Sequence, residues 1–220
     1  MLLKNPADYK GGFWQSYLFR GQVYSAGSTE SSTIALAGHE TEDGQLKVVL
    51  EHSPSPDEGP ATRSTIMAWS YNSPTLLLRY TTDNVSQHPV KDMRVFLLMD
   101  FDIGGSASYK DDVGTYDSNT DIITACDDSP LCVAMASRPT SDGHEIAAPI
   151  KLRIDAENRD LKCNERLGPQ DIVTALQWNL GDMEPGQSRT VDVVIAPGEN
   201  LGEVKDLIDE AWGLFDKRMQ

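Results

Sequence analysis

An antiparallel β-sandwich closed by one C-terminal helix is the fold class this sequence predicts, and three observations predict it. Short runs of β-branched, aromatic and aliphatic residues recur along most of the 220 residues, separated by turn-forming Gly, Pro, Asn and Asp. No strand alternates with a 10–15-residue amphipathic helix, as a parallel α/β sheet would require. Helical spacing appears only at the end of the chain. The length fits one large all-β domain, so residues 1–220 are taken as a single sandwich domain with a helix at about 200–218.

The elements follow in order. Phe13 to Tyr24 mixes aromatic and β-branched residues and is strand-like. Ser32–Ala37 and Lys47–Glu51 flank the turn-rich GHETEDGQ and form a hairpin. His52 to Ala61, with three prolines and a glycine, is a loop. Thr65–Tyr71 and Leu76–Thr82 are strands joined by Asn72-Ser73-Pro74. After the turn from Asp83 to Val90, Met93–Asp102 is the most apolar strand and therefore central. Asp121–Cys126, Cys132–Ser137 and Ile150–Asp155 are shorter strands. A long pair, Ile172–Leu180 and Ser188–Ile195, is separated by a turn with Pro185-Gly186 suited to type II. Leu201, Val204, Leu207, Ile208, Ala211, Trp212 and Phe215 share one helical face. Asn200 and Glu203 form a capping pair, and Lys217 and Arg218 suit the negative end of the helix dipole. The apolar face is expected to pack on a sheet.

Charge narrows the partners. Lys plus Arg number 19 against 34 Asp plus Glu, a formal net charge of -15. Such a surface repels nucleic-acid phosphates and anionic membranes, and it attracts cations. No run approaches the roughly 18 apolar residues of a spanning helix. The first residues lack the apolar core of a signal peptide, so the chain is expected to be cytoplasmic as it stands, or extracellular if a leader has been removed. An odd count of three cysteines makes reduced thiols the expectation. Cys126 and Cys132 nevertheless flank DDSPL and would face each other across a hairpin.

The densest local chemistry is KDMRVFLLMDFDIGGSASYKDDVGTYD, Lys91 to Asp117. An apolar strand empties into Asp100, Asp102, Asp111, Asp112 and Asp117, with glycines between. Asp100 and Asp102, two apart on a strand, share a face. Like charges so close call for a cation or donors between them. Counted from Asp100, Gly105 stands sixth, Ser108 ninth and Asp111 twelfth, a partial echo of a calcium loop. Gly104 in place of an oxygen ligand, Asp in place of the final Glu, and strand rather than helix flanks depart from it. These five aspartates are the candidate metal ligands, with Ca2+ the candidate ion. The alternative is that they only cap turns.

No catalytic signature accompanies them. His39, His52, His88 and His144 sit in polar stretches and are expected to be exposed. His144-Glu145 lacks a nucleophile elbow to make a triad, and there is no GxGxxG or P-loop. Trp14, Trp69, Trp178 and Trp212 lie in apolar patterns that favour core packing. Trp14, beside Gly11-Gly12 and Tyr17, is the one best placed for stacking on a sugar, so Trp14 and Tyr17 are the candidate ligand-binding residues, provided they are exposed.

Three further runs carry a family resemblance: LLLRYTTDNVSQHPVKDMRVFLLMDFDIG, DDVGTYD and ALQWNLGDMEPGQSRTVDVVIAPG, within Leu76 to Gly198. Their Y-x-x-x-N, D-x-D-I-G and L-G-x-x-x-P-G patterns resemble β-sandwich accessory domains found beside catalytic domains in bacterial and archaeal proteins. They also resemble the supersandwich domains related to galactose mutarotase, including those that precede glucoamylase-type barrels. The resemblance implies carbohydrate contact or a structural role. The mutarotase catalytic His and Glu have no counterpart here, which argues against epimerase activity. The expectation is a non-catalytic binding or structural domain with carbohydrate as ligand class. The alternatives are a carbohydrate-active enzyme of epimerase or glycosidase type, using Asp100 with Asp102 or Asp111 with Asp117, and a subunit of a larger assembly.

Overall fold

The computed structural model describes residues 11–26, 34–55, 57–70, 72–105 and 108–219. Its strands are β1 Gly12–Phe19, β2 Gln22–Ala26, β3 Ile34–Glu42, β4 Gln45–His52, β5 Thr62–Trp69, β6 Leu76–Asn84, β7 Val90–Met99, β8 Val113–Asp117, β9 Ile122–Cys126, β10 Cys132–Arg138, β11 Gly143–Ala147, β12 Arg166–Leu167, β13 Val173–Met183 and β14 Ser188–Gly198. The helix α1 spans Leu201–Arg218. One sheet has the order β11-β13-β7-β1-β2, the other β12-β8-β9-β10-β14-β6-β5-β4-β3, and the described pairings are antiparallel. The expected sandwich is borne out, with β7 central in its sheet.

Strand alternation sorts each strand into faces. Phe13, Tyr17 and Phe19 of β1 and Val95 and Leu97 of β7 point between the sheets, where they meet Ile66, Leu78, Tyr80, Met135 and Val193 of the opposite sheet. Trp14, Phe96, Leu98, Val173 and Ala175 point outward, and Leu152, Ile154 and Leu161 cover them. The segment expected to be a strand at Ile150–Asp155 is this cover. It has strand-like alternation, but Leu152 and Ile154 lie on the outside of a sheet instead of in a ladder, and Ile150 is exposed.

The helix covers the outer face of the larger sheet. Val204, Ile208, Ala211, Trp212 and Phe215 bury against Trp69, Leu77, Ala134 and Val194, as the helical spacing predicted, while Leu201, placed on the same face, is exposed in the first turn. The cap forms as well: Asn200 Oδ1 accepts the Glu203 N–H at 3.0 Å, and the Glu203 carboxylate accepts the Glu199 N–H at 2.6 Å.

Three expectations change. β13 and β14 are not a hairpin, since β13 pairs with β7 and β11 while β14 pairs with β6 and β10. The turn between them is a crossover from one sheet to the other, as is the turn from β6 to β7. Buried Asn84 stitches both: its amide donates to the carbonyls of His88 at 2.9 Å and Met183 at 2.8 Å. Phe13–Tyr24 is two strands, because Arg20 and Gly21 take positive φ and reverse the chain. The cysteines are not all reduced. Cys126 and Cys132 are directly opposite on β9 and β10 and form a disulfide, leaving Cys163 as the free thiol. Among the described residues no helix is long and apolar enough to cross a membrane.

Candidate functional site: carboxylates at the end of strand β7

Strand β7 ends at Met99, and the chain turns at once. Asp102 takes φ 43°, a left-handed conformation that Asp tolerates through its short polar side chain. Gly105 N–H closes the turn on the Asp102 carbonyl at 2.9 Å. Gly104 is required here: its φ is 73°, and a Cβ would lie 2.6 Å from Asp127 Oδ2 and 2.7 Å from Ser108 Cβ. Ser108 Oγ donates to the Asp127 carboxylate at 2.8 Å, so the disulfide-closed β9–β10 turn braces the acidic loop.

Asp100 and Asp102 converge, as their spacing predicted, and a third carboxylate joins them. One oxygen each from Asp100, Asp102 and Asp171 lies within 4.8 Å of the others. Asp171 was missed by the sequence reading because it is 69 positions past Asp102 (171 − 102). The signal was present in another form. Asp171 directly precedes an apolar strand as Asp100 directly follows one, and the β7–β13 ladder pairs Met99 with Thr174. Antiparallel pairing therefore delivers both acidic ends to one place.

Asp112 is buried nearby, 1% exposed, and its charge acts on Asp100. Its Oδ2 accepts the Ile103 N–H at 3.2 Å, and its carbonyl accepts the Gln170 N–H at 3.0 Å. Gly168 makes room for that contact: at φ 114°, a Cβ would stand 2.3 Å from the Asp112 carbonyl oxygen. Burial, then the charges of Asp102, Asp171 and Asp112, raises the Asp100 pKa to about 7. Burial raises Asp112 to about 6 despite the Ile103 N–H, with Asp127, Asp102 and Asp171 adding to the rise. Asp171 is raised by burial and by Asp102, with Lys110 opposing.

Asp111 and Asp117 do not join this group. Asp111 ends the 3-10 turn Tyr109–Asp111, and its charge acts on Asp128. Asp117 accepts the Asn119 N–H at 3.1 Å and pairs with Lys205 of the helix at 3.3 Å. The twelve-position echo of a calcium loop thus does not become a loop of ligands. Sheet pairing instead brings Asp171 beside Asp100 and Asp102.

The aromatic candidates are inside. Trp14 is 3% and Tyr17 0% exposed, so neither turns a ring face to solvent; Trp14 lies under the Leu152–Leu161 cover. Tyr17 instead shares a hydrogen bond of 2.5 Å with His52 Nδ1. His52 is likewise not an exposed loop histidine. It ends β4 buried, and desolvation lowers its pKa to about 4. His144 lies on β11, with its ring stacked on Tyr116 at 3.5 Å. Beside His52, Gln15, Ser64 and Tyr80 form a buried hydrogen-bonded set around a cavity of about 20 Å3, room for a single water. At the mouth of the sandwich, Leu46, Trp69, Leu76, Leu78, Met99 and Ile195 line a mainly apolar groove of about 440 Å3.

No family model matches the sequence, and no curated protein matches it. Solved structures do match its fold. A bacterial glucoamylase in complex with acarbose is similar at a TM-score of 0.65 and 11% identity, over 91% of this chain and 28% of the glucoamylase. A protein described as a kojibiose phosphorylase from the human microbiome gives 0.53 and 11%, over 92% of this chain and 25% of that one. A polysaccharide lyase gives 0.51 and 10%, over 91% and 27%. The chain therefore spans about a quarter of each. The expected likeness to the sandwiches of glucoamylase-type proteins holds at the level of fold.

Proposed function

We propose that this chain is a non-catalytic sandwich module of carbohydrate-active machinery, with neutral saccharides as its ligand class. One observation carries the reading. The same sandwich recurs as a quarter of three proteins named for different reactions: a glucoamylase, a phosphorylase and a lyase. A part common to different chemistries supports binding or positioning, and chemistry belongs to sites grafted on a fold. The net charge of -15 favours neutral saccharides over sulfated or uronate-rich ones, which the surface would repel. The Cys126–Cys132 disulfide fits an oxidising compartment such as the cell exterior.

Affinity gel electrophoresis tests it. Soluble starch, pullulan, xylan and heparin would each be cast into native gels, with reducing-sugar release measured in parallel. Retardation by a neutral glycan, none by heparin and no sugar release are expected. Binding to heparin alone would remove the charge argument, and no retardation in any gel would leave a purely structural role.

A second reading has one observation in its favour. Asp100, raised to about 7 beside Asp102, is what a general acid at neutral pH requires. Sugar release that disappears in Asp100→Asn would replace the binding module with an enzyme.

A further inference from the structure

The end of β7 gathers Asp100 and Asp102 with Asp171, and the charge of Asp112 acts on Asp100. No ion pair reaches Asp102, Asp112 or Asp171 among the described residues; the Lys110 ammonium lies over the Tyr109 ring. The geometry suits a shared ion. Two oxygens can touch one cation only if they are separated by no more than twice the ion–oxygen distance, about 5 Å for calcium and about 4 Å for magnesium. One oxygen each from Asp100, Asp102 and Asp171 lies within 4.8 Å of the others, inside the calcium limit, and a set of three carboxylates suits calcium better than magnesium, which keeps several of its waters.

A separate feature points the same way. Asp112 is buried with Oδ1 lacking a hydrogen-bond partner among the described residues, although Oδ2 is satisfied by Ile103. A buried carboxylate oxygen left so is costly unless something positive stands near it. Asp112 is held between the two segments that carry the cluster, through Ile103 next to Asp102 and Gln170 next to Asp171. Its charge acts on Asp100, and those of Asp102 and Asp171 act on it.

We propose that Asp100, Asp102 and Asp171 hold one divalent cation, calcium in preference to magnesium, with the buried Asp112 carboxylate adding its charge from the adjoining backbone. A donor set made only of carboxylate oxygens selects a hard cation over zinc or copper. The ion would fasten the turn after β7 to the segment entering β13, joining two loops that the ladder brings side by side. The inference stands apart from the saccharide reading, and either can fail without the other.

Isothermal titration of the chelator-treated protein with calcium chloride, in near-physiological potassium chloride, tests it. One saturable equivalent is expected, with magnesium binding more weakly. Asp102→Asn should weaken calcium binding at least about tenfold. That variant is chosen because Asp102 is exposed and Asn readily adopts its left-handed backbone. Asp171→Asn should do the same. Asp209→Asn, on the exposed face of the helix, removes the same charge and should leave the affinity within about twofold, since a single distant charge is screened by salt. Absence of saturable binding would overturn the proposal. So would equal weakening by Asp102→Asn and Asp209→Asn, which would mark diffuse attraction to an acidic surface. Magnesium binding as tightly as calcium would overturn the stated preference.

Discussion

The two ends of strand β7 handle the same residue type in opposite ways. Near its start, Asp92 receives Arg94 Nε at 3.1 Å and Arg159 Nη1 at 2.5 Å. Burial pushes its pKa up, and the guanidinium hydrogen bonds outweigh that and bring it below the ordinary carboxylate range. Arg94 also reaches Asp160 at 2.6 Å, and Arg159 reaches Ser16 at 2.8 Å. At the far end, Asp100 stands among Asp102, Asp171 and Asp112, and its pKa rises to about 7. One end is neutralised within the chain. The other gathers like charges, which together with burial raise Asp100, Asp112 and Asp171. A carboxylate among cations stays ionised at lower pH; a carboxylate among carboxylates holds its proton to higher pH.

The apolar scale for judging both ends comes from the helix. Trp212, buried beside Phe215 and under the Arg138 guanidinium, should cost about 3–5 kcal/mol when changed to Ala, measured by urea unfolding. A loss below about 1 kcal/mol would mean that the helix is peripheral to the fold.

Arg159→Ala removes the donor that ties the outer cover to Asp92 and Ser16. It should cost about 2–3 kcal/mol by the same measurement. An effect under about 0.5 kcal/mol would mean that Arg94 alone settles the charge of Asp92.

The acidic end has a covalent brace in the Cys126–Cys132 disulfide, whose loop carries Asp127 against Ser108. Reducing it should destabilise the protein by about 2 kcal/mol, read as a lower melting temperature in dithiothreitol. An unchanged melting temperature would show that the hairpin holds itself.

The smallest effects give the sharpest contrast, because one substitution should change sign between the ends. In chelator at pH 8, Asp100→Asn should raise stability by about 1–2 kcal/mol, after allowance for screening at a half-exposed group. Asp92→Asn should lower it by about 1 kcal/mol. The pH dependence follows from the same groups. The folded pKa of Asp100, about 7, lies above its unfolded value of 3.8, so the folded state holds a proton that the unfolded state gives up. Stability of the metal-free protein should therefore fall as pH climbs from about 4 to 7, and Asp100→Asn should flatten that slope. A slope unchanged in the variant would mean that other groups set it.

Much of this architecture was written locally. The alternation of Leu76–Thr82, the apolar run before Asp100 and the spacing of the helix each state a period and a face, so strand, centre and amphipathic helix could be inferred without a neighbour. Asn84 and Pro185-Gly186 marked turns that form. Ile150–Asp155 shows the limit of such inference. Its alternation is real, but alternation reports that one side is buried, not whether the backbone finds a ladder partner. β13 and β14 show the same limit: a turn between two strands does not say whether they pair or part company into different sheets.

The candidate site divides along the same line. Asp100 and Asp102 were legible because they are two apart. Asp171 was not, because its approach depends on the register of β13 against β7, which is a property of the pair. The burial of Trp14, Tyr17 and His52 likewise depended on what came to lie over them, and only the folded sheets decide that. By itself the sequence determined the fold class, the helix and its buried face, the acidic surface and the meeting of Asp100 with Asp102, because these rest on periodicity, composition and short-range geometry. Only the tertiary structure decided the crossovers, the disulfide, the buried aromatics and the third carboxylate, because each needs two distant segments to be placed side by side.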